Sequence, residues 1–273
     1  MSIQNSILAL SSHRTMMSNR IALTQSLERL SSGLQINRAA DNAAGLAVSE
    51  RMRADTMGFT AASRNVQDGM SVVRTAEGAL TETHSMLNRM TELAAQASNG
   101  ILNDQQRGAL NAEFQELRSE INRIASSTNF NGRNLLDGSL ENGMSLQIGN
   151  TGEAHNRISV SINNMGTAGL GLDDIDISTF ESAQAAMGAV RDAVNVVSEQ
   201  RGSLGAMENR QQHTFNNLGV MIENITAAQS RIRDADMALE MMNFTRSNIM
   251  MQSSQAMLAQ ANVMAGSVIN LLR

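Results

Sequence analysis

Apolar residues recur at helical spacing along most of this chain, most clearly at its two ends. Near the amino terminus they follow steps of three, four and seven, with one shift of phase, at Ile3, Ile7, Leu10, Met17, Ile21, Leu23, Leu27, Leu30 and Leu34. Near the other terminus a heptad row contains Met250, Met257, Ala261, Met264, Val268 and Leu271, with Leu272 beside it. These spacings predict two long amphipathic helices with coiled-coil periodicity.

The same two ends carry almost no charge. Between Met1 and Leu27 the charged residues are Arg14 and Arg20, and between Met242 and Leu272 the only one is Arg246. Periodicity alone fits an intramolecular bundle as well as a polymer. A solvated coiled coil normally carries charges beside its apolar row. The low charge therefore favours two ends that cover each other and are covered by other copies of the chain.

Three more helical stretches lie between the ends. The first runs from about Asn42 to Gly100, and a second, capped by Asn103 and Asp104, follows it to about Ser126. Helical spacing returns at about Ser178 and continues nearly to the end of the chain, with Gly202 and Gly205 as candidate breaks. The absence of proline removes the residue that most often interrupts a helix.

The middle of the chain changes period. Apolar and polar residues alternate over 144–148 and 158–162, with turn residues Asn150, Thr151 and Gly152 between them, which predicts a β-hairpin. The Gly- and Asp-rich segment 166–176 is interpreted as a flexible linker. The predicted fold is mainly α: long antiparallel helices forming a rod, a coiled coil of the terminal helices, and one small hairpin at about 144–162.

Composition narrows the function. The 273 residues include no Cys, Trp, Tyr or Pro, and the 21 basic residues are all Arg. These counts exclude thiol and lysine chemistry, and the net charge of −5 argues against nucleic-acid binding. No apolar run is long enough to span a membrane, and no cleaved signal peptide is visible.

Residues that could carry chemistry are scattered. The four histidines, His13, His84, His155 and His213, form no ligand pair. Asp173, Asp174 and Asp176 resemble half of a cation site, but the rest of a calcium-binding loop is missing, so a solvated turn is the simpler interpretation. We expect no catalytic residue, no cofactor and no metal, and therefore no enzyme.

Several segments resemble the signatures of bacterial flagellin. Residues 30–53 read LSSGLQINRAADNAAGLAVSERMR, and residues 92–99 read ELAAQASN. Near the other end, residues 230–236 read SRIRDAD and residues 257–262 read MLAQAN. The matches run in the family's order over essentially the whole chain, without the large variable domains that many flagellins insert in the middle.

The resemblance implies a structural subunit that self-assembles into the extracellular flagellar filament for motility. It implies an inner coiled-coil domain of residues 1–43 plus 234–273, and an outer helical domain of residues 44–233. It also implies export without a cleaved signal, and an export chaperone, a cap and hook-junction proteins as partners. Two alternatives remain at this point: a hook–filament junction protein of the same superfamily and a soluble coiled-coil interaction protein.

One further partner comes from the resemblance alone. Flagellins are recognised by a leucine-rich innate immune receptor, and the positions matching that epitope are Arg89, Leu93 and Glu113. Arg89 and Leu93 lie four residues apart on one helix face, and Glu113 lies on the helix that follows. A structural role is the alternative, in which Leu93 packs in the core and Arg89 makes a subunit contact.

Overall fold

The computed structural model describes residues 7–271, and the side chains of residues 7–263. Five α-helices contain most of these residues: α1 (Ile7–Ser32), α2 (Ala43–Ala97), α3 (Asp104–Ser127), α4 (Phe180–Arg233) and α5 (Met237–Leu271). The predicted mainly helical fold is confirmed. The last helical stretch is divided, because the chain leaves helical geometry between Arg233 and Met237.

The helix ends follow from local side-chain chemistry. After α1, Gly33 has φ +71° and its N–H donates to the Arg29 carbonyl at 2.8 Å, which is the left-handed ending that glycine adopts without strain. At the start of α3, the Asn103 side chain accepts from the Gln106 N–H, and the Gln106 side chain accepts from the Asn103 N–H. Helix α4 runs through Gly202 and Gly205 without a break.

Arg107 joins the end of α2 to the start of α3. Its guanidinium donates to the carbonyls of Ala97 and Asn99 at 3.1 and 3.3 Å, and to Asp104 at 3.1 Å. The Ala97 carbonyl, at the end of α2, has no partner within the helix and is satisfied by the buried arginine, while the Asn99 carbonyl also accepts from the Leu102 N–H at 3.3 Å. The turn between the two helices is thereby fixed.

Two small antiparallel hairpins occupy the middle of the chain. The predicted hairpin is present: β3 (Met144–Gln147) pairs with β4 (Arg157–Val160), with Met144 opposite Val160. The other was not predicted. In it β1 (Asn129–Phe130) pairs with β2 (Arg133–Asn134) around Asn131 and Gly132, whose φ values of +50° and +77° are those of a two-residue hairpin turn.

The chain divides into two compact units. The terminal unit comprises Met1–Thr56 and Glu223–Arg273, and the central unit comprises Met57–Ile222. The central unit has one main apolar core, to which α2, α3, α4 and the hairpins all contribute. Its fully buried side chains include Leu80, Leu87, Met90, Leu93, Phe114, Ile121, Leu135, Leu136, Val160 and Val190.

The interpretation of residues 166–176 as a flexible linker is wrong. Leu170 and Leu172 are buried in the core of the central unit. The Gln115 side chain of α3 donates to the Ile175 carbonyl at 3.0 Å, and the Asn111 side chain accepts from the Ile177 N–H at 3.0 Å. The segment is therefore packed on α3, and its glycines allow the chain to follow this compact path.

Candidate functional site

Helices α1 and α5 pack along one row of residues from each helix. The less exposed positions of α1 recur at steps of three and four, and we call them the α1 inner row: Ala9, Ser12, Met16, Asn19, Leu23, Ser26 and Leu30. The α5 inner row has the same spacing: Glu240, Phe244, Ser247, Met251, Ser254, Leu258 and Ala261. This is the spacing of coiled-coil contact positions.

Small and polar residues dominate these inner rows. Asn19 donates to the Ser254 hydroxyl at 3.1 Å, and Arg29 lies 3.8 Å from the carboxylate of Glu240, whose side chain is only 8% exposed. A buried polar pair in a coiled coil favours one register, because any shift leaves its members without partners. These two contacts therefore align α1 with α5.

Many large apolar side chains of α1 and α5 lie on the outside of the pair, although others, such as Leu23 and Phe244, belong to the inner rows. Ile7 is 80% exposed, Ile21 60% and Ile249 60%. We call the set of exposed large residues on the two helices the apolar surface: Ile7, Leu8, Leu10, Met17, Ile21, Leu27, Met237, Leu239, Met241, Met242, Ile249, Met250, Met257 and Val263. A concentration of exposed apolar side chains on two packed helices marks an interaction site.

Ten of the residues predicted to pack in the filament core have described side chains, and seven of these are uncovered within the single chain. The apolar surface contains Ile7, Leu10, Met17, Ile21, Leu27, Met250 and Met257. Leu30 and Leu34 are half-buried, and Ala261 is buried between the helices. Ile3 and Leu272 lie outside the described residues, as do the side chains of Met264, Val268 and Leu271.

The two signature segments meet where α1 ends and α5 begins. Leu34 pairs with Asp234 as an isolated bridge, the Gln35 N–H donates to the Arg233 carbonyl at 2.7 Å, and the Ala235 N–H donates to the Gly33 carbonyl at 2.9 Å. These backbone hydrogen bonds hold the segment after α1 against the segment before α5. Both segments are recognisable in the sequence, but this junction between them was not predicted.

Side chains complete the junction. The guanidinium of Arg233 donates to Glu50 of α2 at 2.6 Å, and this hydrogen bond lowers the pKa of the Glu50 carboxyl. Asp236 begins α5 by accepting from the N–H groups of Ala238 and Leu239 at 2.9 and 3.1 Å. The non-helical segment between α4 and α5 is therefore stabilised at both ends, by Arg233 on one side and by Asp236 on the other.

The predicted receptor epitope lies in the central unit. Arg89 donates to Glu113 at 2.8 Å and to Glu92 at 2.9 Å, and these two carboxylates raise the pKa of the arginine. Arg89 and Glu113 are both 45% exposed at the side chain, whereas Leu93 is completely buried. The ion pair is thus available at the surface, and Leu93 contributes packing beneath it.

Among the described residues, no group of three or more His, Asp or Glu side chains could hold a metal ion. Asp173, of the Asp-rich turn, instead receives the Arg118 guanidinium at its backbone carbonyl. Over the same residues, no helix is long and apolar enough to cross a membrane.

Comparison with known proteins agrees with this geometry. A family model described as the bacterial flagellin N-terminal helical region matches residues 3–141, and one described as the C-terminal helical region matches residues 187–272. A flagellin of Halalkalibacterium halodurans is 50% identical and one of Bacillus subtilis 44% identical, each over 100% of both chains. The crystal structure of Bacillus cereus flagellin matches with a TM-score of 0.51 and 29% identity, over 57% of this chain and 88% of that one.

Proposed function

The chain belongs to the bacterial flagellin family and is a non-enzymatic structural subunit of the extracellular flagellar filament, and we propose that its apolar surface is where copies of the chain join. This assignment favours a filament subunit over the junction protein and the soluble coiled coil that the sequence left open. What we propose beyond the family is which residues form the contacts between subunits.

The observation that carries the proposal is the exposure of large apolar side chains on α1 and α5. Burying an exposed Ile, Leu, Met or Val contributes about 1.5–3 kcal/mol per side chain, before the loss of entropy on association. The apolar surface contains 14 such residues. A second copy offers the same chemistry, so the surface is complementary to itself and suited to a homopolymer.

We propose in addition that the two layers of the filament divide as the resemblance implies. Residues 1–43 with 234–273 would form the inner layer, and residues 44–233 the outer layer. Support comes from the contrast between the two compact units. The terminal unit leaves 14 large apolar side chains of α1 and α5 exposed, whereas the central unit has an extensive buried apolar core.

A pair of matched substitutions tests the assembly surface. Ile249→Glu places a charge on the apolar surface, and Ile101→Glu places the same charge on an isoleucine that is 88% exposed in the α2–α3 turn. We expect Ile249→Glu to reduce polymer yield on filament seeds by about tenfold or more, because a carboxylate would be buried without a partner. Ile101→Glu should polymerise like the wild type.

Sedimentation of seeded reactions gives the yield, and circular dichroism checks that both variants fold equally. Wild-type yield from Ile249→Glu would reject the apolar surface as the contact region. An equal loss from both variants would mean that added charge, rather than its position, inhibits assembly.

Before assembly, the same surface needs cover from another protein. We infer that an export chaperone shields part of it, and that cap and hook-junction proteins contact it at the filament ends. The near absence of charge on α5 supports a largely apolar contact. If so, Ile249→Glu should weaken co-purification with the chaperone, and Ile101→Glu should not.

We also propose that the Arg89–Glu113 pair contributes to recognition by the leucine-rich innate immune receptor. Both side chains are half-exposed and hydrogen-bonded to each other, so they present a fixed pair of opposite charges. Arg89→Ala should weaken binding of the receptor ectodomain to the unassembled subunit, as measured by surface plasmon resonance. Arg74→Ala, which removes another exposed arginine paired with Glu208, is the matched control.

A further inference from the structure

Methionine is concentrated on the helix that carries most of the apolar surface. Helix α5 has 35 of the 273 residues but seven of the 20 methionines: Met237, Met241, Met242, Met250, Met251, Met257 and Met264. Leucine would supply similar apolar volume with no reactive atom. The choice of methionine therefore gives this helix a chemical property beyond hydrophobicity.

These methionines are open to solvent in the single chain. Five on α5 and one on α1 are between 44% and 58% exposed: Met237, Met241, Met242, Met250, Met257 and Met17. In the central unit, Met90 is 0% and Met165 1% exposed, whereas Met57, Met187 and Met221 are 65%, 37% and 38% exposed. Oxidation of methionine depends on access to the sulfur, so the exposed and the buried methionines differ in reactivity.

Three of the six line one groove on α5. Met241, Met242 and Met250 lie with Thr245, Arg246 and Ile249 around a volume of about 490 Å³. Arg246 supplies the only charged group of that lining. A polar oxygen added to any of these sulfurs would stand in apolar surroundings once the groove is covered.

We propose that the six exposed methionines, Met17, Met237, Met241, Met242, Met250 and Met257, form an oxidation-sensitive site that controls assembly. The inference rests on the proposed assembly surface. Peroxides are the class of co-reactant. The thioether sulfur attacks one peroxide oxygen, the O–O bond breaks, and an S–O bond forms. Sulfur loses two electrons; with hydrogen peroxide, the transferred oxygen gives up its proton, and the second oxygen takes up that proton and leaves as water.

The consequence differs before and after assembly. On an unassembled subunit, sulfoxides make the apolar surface polar, and a second copy would have to bury them without partners. Within the filament the same sulfurs are covered and react slowly. Oxidised subunits are thus excluded from growth, while subunits already incorporated are protected. Sulfoxide reduction restores a subunit, which makes the modification reversible.

The test compares three proteins before and after treatment with hydrogen peroxide: the wild type, a variant with the six methionines changed to leucine, and a matched variant carrying Met57→Leu, Met187→Leu and Met221→Leu. The last three are the exposed methionines of the central unit, at 65%, 37% and 38%. Peptide mass spectrometry locates each added oxygen, and seeded sedimentation gives polymer yield.

We expect peroxide to reduce the yield of the wild type and of the matched variant by about tenfold or more, with recovery after treatment with methionine sulfoxide reductases. The six-leucine variant should keep its yield. In assembled wild-type filaments, the six sites should gain oxygen more slowly than in free subunits.

Full polymer yield from oxidised wild type would overturn the inference, as would equal sensitivity of the six-leucine variant. If the matched variant kept its polymer yield after peroxide treatment, the sensitive methionines would lie in the central unit, and the inference would also be overturned. Failure of the proposed assembly surface would look different, because Ile249→Glu would then polymerise normally without any peroxide.

Discussion

The central and terminal units use their apolar residues in opposite ways. In the central unit, Leu80, Leu87 and Phe114 are completely buried, and the surface carries the ion pairs. In the terminal unit, the contact between α1 and α5 mixes small or polar residues with half-buried Leu, Met and Phe, while Ile21 and Ile249 face solvent. Large apolar side chains exposed in such number are unusual for a finished globular domain.

The difference shows that a stable fold and an assembly surface need different distributions of the same side chains. The central unit gains its stability from within one chain. In the terminal unit, polar contacts align α1 with α5, and many large apolar side chains stay exposed, which we propose is the surface that other copies cover. Four predictions test this contrast, beginning with the largest expected effect.

Deleting residues 250–273 should abolish filament formation while leaving the central unit folded. The deletion removes Ser254, Leu258 and Ala261 from the α5 inner row, and Met250 and Met257 from the apolar surface. It touches no residue of the central core. Sedimentation on seeds measures assembly, and urea unfolding measures the core. Ordinary filaments from the shortened chain would contradict the role given to the terminal unit.

A truncation to alanine should mainly reduce folding stability in the central unit and mainly reduce assembly in the terminal unit. Leu87→Ala leaves a cavity in the central core and should lower the free energy of unfolding by about 2–5 kcal/mol. Ile21→Ala should change it by about 0.5 kcal/mol or less, because the side chain is exposed, yet should reduce polymer yield. Urea unfolding of the unassembled protein and seeded sedimentation measure the two quantities. An unfolding loss for Ile21→Ala equal to that for Leu87→Ala would remove the contrast.

Much of this architecture was predictable from local pattern. The helix of α3 began where Asn103 and Gln106 could cap it, and the alternation at 144–148 and 158–162 identified the β3–β4 hairpin. Both signals depend on residues close together in sequence. The β1–β2 hairpin was missed because its strands have two residues each, too short for alternation, although Asn131–Gly132 is a strong turn signal.

The contact between α1 and α5 was not predictable in the same way. Large apolar residues such as Ile21 and Met257 were predicted to pack, because burial usually selects them. The inner rows also contain Ser12, Asn19, Ser26 and Ser254, which the pattern marks as polar positions. A sequence pattern shows that a helix face needs cover, but it does not show whether the same chain or another copy supplies it.

The polar pair inside the α1–α5 contact should contribute a moderate share of filament stability. Asn19→Ala and Ser254→Ala each remove one partner of a 3.1 Å hydrogen bond. We expect each variant to lower the temperature at which filaments depolymerise, with a loss of about 0.5–1.5 kcal/mol per subunit. The double variant should lose less than the sum, since both changes remove the same bond. Strictly additive losses would mean that the pair does not align the helices.

The smallest effect concerns pH, at the junction where Arg233 meets Glu50. The hydrogen bond from Arg233 lowers the pKa of Glu50, so its contribution to stability is present above the ordinary carboxyl pKa of about 4.3 and is lost as pH falls through the lowered value. The alkaline side differs, because arginines keep their charge above about pH 12 and this chain has no Lys, Tyr or Cys. We therefore expect filament stability to stay level between about pH 8.5 and 11.

Arg233→Lys should break that alkaline plateau, because lysine loses its proton near pH 10.4 in water. The variant should match the wild type at neutral pH and depolymerise at a lower temperature as pH rises through about 10–11. Glu50 also receives a hydrogen bond from Arg53 at 2.9 Å, so the carboxylate keeps one cationic partner and the effect stays small. Arg14→Lys is the control, since the described residues give Arg14 no ion pair. An equal alkaline loss in both variants would place the pH sensitivity outside the junction, and the Arg233–Glu50 pair would then not be what holds the end of α4 against α2 within the terminal unit.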